Sequence, residues 1–128
     1  MRRQKVRFAS WFVAAVASLC GVATLAPRMA WAHAVLVSAQ PGENSTVAGP
    51  DVAILLKYTS RIDMEHSTLT LVAPDGKLAK ITIGSQPAPG LLAARLTGLV
   101  VKGAYELRWQ VLAIDGHVTR GKVLFQIK

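Results

Sequence analysis

An all-β fold is predicted by three observations. From Val35 onward the apolar residues follow a period of two and no stretch keeps a helical period. The β-branched and aromatic residues gather in short runs, and those runs are punctuated by Gly, Pro, Asn and Asp. Seven such runs between His33 and Lys128 match an immunoglobulin-like antiparallel β-sandwich of about seven strands with Greek-key connections.

The first strand is predicted at 35–39 and is closed by Pro41-Gly42-Glu43-Asn44. The second runs over 52–58. The third, 68–73, and fourth, 78–83, flank Pro74-Asp75-Gly76-Lys77, whose Asp-Gly pair tolerates the positive φ of a hairpin turn. Pro87, Pro89 and Gly90 break the chain before the fifth, 91–96. The sixth, 105–112, alternates most cleanly: Tyr105, Leu107, Trp109 and Val111 share one face, and Glu106, Arg108 and Gln110 take the other. The seventh, 122–127, turns Val123, Phe125 and Ile127 to one side. Trp109 and Phe125 are therefore expected in the core.

The preceding segment has a different character. The 128-residue chain carries 15 basic and 7 acidic residues, a net charge of +8. Residues 1–32 contain five of the basic residues (Arg2, Arg3, Lys5, Arg7 and Arg28), no acid and the single cysteine, Cys20. A basic start, an apolar run from Phe8 to Ala26 and Ala30-Trp31-Ala32 follow the order of a secretory signal peptide, with cleavage expected after Ala32. An uncleaved anchor is the alternative, but the run is rich in Ala and interrupted by Ser10, Ser18, Gly21 and Thr24. Twin-arginine export lacks the expected context after Arg2-Arg3, and Leu19 is too bulky before a lipidated Cys20.

The division is thus a signal peptide at 1–32 and one domain at 33–128. That domain is cysteine-free and carries ten basic against seven acidic residues, a net of +3. Disulfides and thiolate metal sites are excluded from it. Its basic residues are dispersed along the sequence, which disfavours nucleic-acid binding. The length excludes large catalytic folds, and no Gly-x-Ser-x-Gly or nucleotide-binding loop is present.

Chemistry is left to His33, His66 and His117. Cleavage after Ala32 would give His33 a free α-amine, with an unperturbed pKa of about 7.7–8. Amine and imidazole of one residue can chelate a metal ion together, and nitrogen donors suit copper(II). Asp115-Gly116-His117 places an acid and a histidine two residues apart beside a flexible glycine, which can add an oxygen and a third nitrogen. Taken by themselves, those three residues read more simply as an ordinary Asp-Gly turn with a solvated histidine.

The domain as a whole resembles the CopC-type periplasmic copper-binding proteins. The likeness begins with His33-Ala34-Val35-Leu36-Val37-Ser38 and Gln40-Pro41-Gly42-Glu43-Asn44-Ser45. It ends with Gly103-Ala104-Tyr105-Glu106-Leu107-Arg108-Trp109, Asp115-Gly116-His117-Val118-Thr119-Arg120-Gly121 and Val123-Leu124-Phe125. The resemblance implies an exported periplasmic β-sandwich that binds copper(II) through His33, Asp115 and His117. It also implies a non-enzymatic role in copper homeostasis or resistance, as a monomer beside a separate inner-membrane copper transporter. A methionine-rich copper(I) site, found in some relatives, is not expected: beyond residue 32 the one methionine is Met64, in Asp63-Met64-Glu65-His66, read as a solvated loop.

Two other function classes compete. An N-terminal copper-bound histidine also resembles the centre of copper-dependent oxygenases, although a domain this small leaves little room for their substrate surface. A metal-free sandwich could instead serve adhesion or assembly through a sheet edge.

Overall fold

The computed structural model describes residues 33–128, so the expected signal peptide, its cleavage point and Cys20 lie outside the described residues. Nine strands form among the described residues: β1 (Leu36–Gln40), β2 (Ser45–Val47), β3 (Val52–Tyr58), β4 (Ile62–Val72), β5 (Leu78–Ile81), β6 (Ile83–Ser85), β7 (Leu91–Leu96), β8 (Gly103–Ala113) and β9 (Val118–Ile127). They make a two-sheet, immunoglobulin-like sandwich, with order β1-β3-β7-β6 in one sheet and β2-β9-β8-β4-β5 in the other.

Alternation explains the layers. In β3, Val52, Ile54, Leu56 and Tyr58 turn inward, and in β8 the inward set is Tyr105, Leu107, Trp109, Val111 and Ala113. Val123, Phe125 and Ile127 of β9 complete that wall. Tyr58 meets Trp109 edge-to-face across the two sheets, with ring centroids 5.3 Å apart. Trp109 pairs in register with Gly121. A Cβ there would overlap Trp109 Cζ2, so the ring occupies the space that a side chain would need.

The β8–β9 hairpin stays in register from Gly103↔Ile127 to Leu112↔Val118. It is the framework on which the loop at 113–117 is carried.

Four expectations need correction. The strand count is nine: the three-residue β2 carries too short a pattern to be read, and it pairs parallel with β9, so the sandwich is not wholly antiparallel. The fourth predicted strand is two. β5 pairs with β4, whereas β6 pairs with β7 in the opposite sheet. Ile81 and Ile83 both pack against the core, so the alternation runs on unbroken through the change of sheet. The final strand starts at Val118 rather than at 122.

The last correction concerns 62–67, which is part of β4 and not a solvated loop. Ile62↔Ala113 and Asp63↔Leu112 pair, and the register then shifts before Thr68↔Gln110. The extra residues bulge, which erases the period-two signal. Ser67 holds the bulge closed: its hydroxyl donates to the Asp63 carbonyl (2.6 Å) and accepts the Leu112 N–H (3.2 Å).

Candidate metal centre

The β8–β9 loop is built by its own backbone. The Gly116 N–H bonds to the Ala113 carbonyl (2.9 Å) and the Ala113 N–H to the His117 carbonyl (2.8 Å). Gly116 takes φ +91°, a left-handed conformation that glycine adopts without a Cβ penalty. The Ile114 N–H reaches the Arg61 carbonyl (3.1 Å), which fixes the loop to the start of β4.

Within this loop Asp115 orients His117 twice. One carboxylate oxygen accepts the His117 backbone N–H (3.0 Å), and the other lies 2.8 Å from His117 Nδ1. Those bonds, the backbone one foremost, hold the Asp115 carboxyl below its ordinary range, helped by the nearby imidazoles of His117 and His33. With Nδ1 engaged by the carboxylate, Nε2 is the ring nitrogen turned to other partners.

His33 comes from the segment that leads into β1 of the other sheet. The residue after it, Ala34, is only 1% exposed and pegs the segment into the core. The Ala34 carbonyl accepts a hydrogen bond from the Thr119 hydroxyl of β9 (2.9 Å). At the end of β3, the Thr59 hydroxyl accepts the Val35 N–H (3.0 Å) and donates to the His33 carbonyl (3.3 Å). Two threonines, one on each sheet, therefore clamp the chain on either side of Ala34.

The outcome is a cluster at one end of the sandwich. The His33 and His117 rings stand edge-on with centroids 4.5 Å apart at 88°. One donor atom from each of His33, Asp115 and His117 lies within 4.8 Å of the others, and all three residues are exposed. Imidazole nitrogens and a carboxylate oxygen so placed can close on a single divalent ion of borderline character. All three residues singled out from the sequence are thus brought together. Missed from the sequence were Thr59, Thr119 and the buried Ala34, whose roles depend on contacts between strands far apart in the chain.

Met64 and His66 are not brought together in this way. Met64 packs against the core, while His66 is exposed and its Nδ1 lies 2.8 Å from Asp63 Oδ2. Asp63 Oδ1 also accepts the N–H groups of Glu65 (3.0 Å) and His66 (3.2 Å).

Comparison with known proteins adds the relationship. The CopC domain profile matches residues 36–128. Copper resistance protein C of Xanthomonas campestris pv. juglandis is 29% identical over 113 residues, covering 83% of this chain and 88% of that protein. Protein YobA of Escherichia coli K12 is 27% identical over 100 residues, covering 77% of this chain and 81% of its own. The crystal structure of CopC from Methylosinus trichosporium OB3b superposes with a TM-score of 0.68 at 26% identity, over 75% of this chain and 94% of that one.

Proposed function

The chain belongs to the CopC family, and we propose on that footing that it is a periplasmic copper(II) carrier or buffer in copper resistance or homeostasis, and not an enzyme. The observation that supports this reading best is the convergence of His33 with Asp115 and His117 at an exposed end of the sandwich. His33 lies just before the segment matched to the family.

In this reading, removal of residues 1–32 frees the His33 α-amine. That amine and the His33 imidazole give two nitrogens and His117 gives a third through Nε2. Asp115 gives an oxygen by exchanging its bond to the His117 ring for the ion, because Nδ1 and Nε2 face opposite sides of the imidazole and one carboxylate does not reach both. The donor set favours copper(II) over copper(I): nitrogen and oxygen suit the oxidised ion, and the domain offers no thiolate. Exposure of all three ligands suits a cargo that must be passed on, here to a separate inner-membrane transporter. Since one ligand lies ahead of β1 and two lie between β8 and β9, the ion would tie the two sheets together.

Thermal unfolding with and without copper(II) tests the proposal. The protein beginning at His33 should be stabilised by about 2.7 kcal/mol at a free ion concentration a hundred times Kd. For a domain of this size that raises Tm by about 10 °C or more. A chelator should reverse the rise and His117→Ala should abolish it. No rise in the unmodified protein would overturn the assignment.

A further inference from the structure

On the outer face of the five-stranded sheet, strand register gathers cations that are scattered in the sequence. Lys122, Arg108, Thr70 and Lys80 follow one another across β9, β8, β4 and β5 as directly paired neighbours. The next row along the strands carries Arg120, Gln110 and Thr68. All of these but Lys80 line a shallow groove together with Glu106 and Leu78, and Lys80 is paired with Thr70 on the neighbouring strand β5.

The charge count is one-sided. Four of the ten basic residues of 33–128 are here (Lys80, Arg108, Arg120 and Lys122), with one acid, Glu106. The remaining six basic residues are balanced by six acids, so the whole +3 excess of the domain sits on this groove. Glu106 lies between two of the cations, bonded to Arg108 and 3.6 Å from Lys122 Nζ. It relieves the repulsion of that opposed pair.

The two arginines are already oriented. Arg108 Nε donates to Glu106 Oε1, and Arg120 Nε donates to Gln110 Oε1 at 2.6 Å. Each guanidinium is thereby pinned through Nε, with its terminal nitrogens directed away from that bond as a fork that matches a carboxylate. Arg108 and Arg120 are diagonal neighbours across β8 and β9, with backbone positions about 7–8 Å apart. In an extended chain, alternate residues share a side and stand about 6.6–7 Å apart.

We propose that this groove docks an extended acidic segment of a partner protein, with carboxylates at alternate positions paired to Arg108 and Arg120 and flanked by Lys122 and Lys80. Thr68, Thr70 and Gln110 supply neutral hydrogen bonds along the floor. Pinned guanidinium groups in a concavity fit a narrow chain better than the flat surface of an anionic bilayer, for which cations that project freely are suited. Arg120 lies three residues from His117, about 10 Å along the strand, so a segment docked here brings its parent protein beside the loop at 113–117. The groove contains none of the proposed metal ligands, and the inference stands whether or not the domain binds copper.

The test is titration of the metal-free protein, purified after expression of the full chain, with a labelled Ala-Glu-Ser-Glu-Ser-Glu-Ala peptide. Binding is followed by fluorescence anisotropy and amide chemical shifts. Shifts should cluster on Thr68, Thr70, Arg108, Gln110, Arg120 and Lys122, and binding should weaken steeply between 50 and 500 mM salt, concentrations chosen to span a several-fold change of about 14 to 4 Å in screening length. Arg108→Gln with Arg120→Gln should weaken it at least about tenfold. Lys57→Gln with Arg95→Gln removes the same charge from the other sheet and should leave it within about twofold. Equal losses in both variants, shifts spread over the surface, or retention on phosphatidylglycerol vesicles without peptide binding would each overturn the proposal. Thermal unfolding of both variants, expected close to that of the parent, separates loss of docking from loss of folding.

Discussion

Thr119→Val removes a single hydroxyl and should be felt at a site that Thr119 does not itself form. Valine keeps the shape of threonine, so what is lost is the bond to the Ala34 carbonyl. Three side-chain bonds, one from Thr119 and two through Thr59, and the bond from the Thr59 N–H to the Val35 carbonyl hold 33–35, each worth about 1 kcal/mol net. The buried Ala34 methyl adds about 0.8 kcal/mol. Against this, ordering the backbone of three residues costs about 1–2 kcal/mol each. The clamp is therefore close to balance, and losing about 1–1.5 kcal/mol tips it towards release. Apparent copper(II) affinity scales with the fraction of chains that hold His33 in place, so Kd should rise severalfold, up to about tenfold. Competitive copper(II) titration reads this directly, and hydrogen exchange of the Val35 amide should quicken in parallel. Tm of the metal-free protein should fall by only a few degrees, because the sandwich core is untouched. A Kd within twofold of the parent would refute the clamp. A large fall in Tm with unchanged Kd would refute it too, since the bond would then support the sandwich and not the position of His33.

Other consequences concern the core and the acid limb. Gly121→Ala places a Cβ where the Trp109 ring lies, so urea unfolding should show a loss of about 1–3 kcal/mol. Asp63 has its carboxyl held below the ordinary range, chiefly by the hydrogen bond to the His66 ring. A lowered folded-state pKa contributes stability that is present above the ordinary carboxylate range and fades as pH falls through the folded value. Asp63→Asn should therefore lower Tm at pH 7, with the gap to the parent narrowing as the pH falls below the ordinary carboxylate range; a gap of constant width down to acid unfolding would show another cause.

The core strands were legible because each reports its own burial. Tyr105 to Val111 alternate without interruption, and β8 buries the residues that the alternation indicates. The Pro74–Lys77 turn was equally local: the Ala73 N–H bonds to the Lys77 carbonyl (2.9 Å) and Gly76 has φ +83°. What escaped depends on partners. β2 exists only as an addition to β9, and the first half of β4 is held by Ser67 around a bulge that carries no period. At the site, the residue types and the Asp-Gly-His spacing pointed to His33, Asp115 and His117. Thr59 and Thr119 gave no signal, since a threonine in or just after a strand is common and its hydroxyl partner lies 24 or 85 positions away. The basic groove was hidden in the same manner: Lys80, Arg108, Arg120 and Lys122 look dispersed until strand register sets them side by side.

The central claim is that His33 acts through a free amine as well as its ring. Copper(II) titration of two forms tests it most directly, one beginning at His33 and one retaining Ala32 ahead of it. The first should bind one equivalent tightly. The second, with its Ala32 amine acetylated so that no free amine lies near His33, should bind at least about tenfold more weakly, because a metal ligand must offer a deprotonated lone pair. Equal affinity in the two forms would contradict the account.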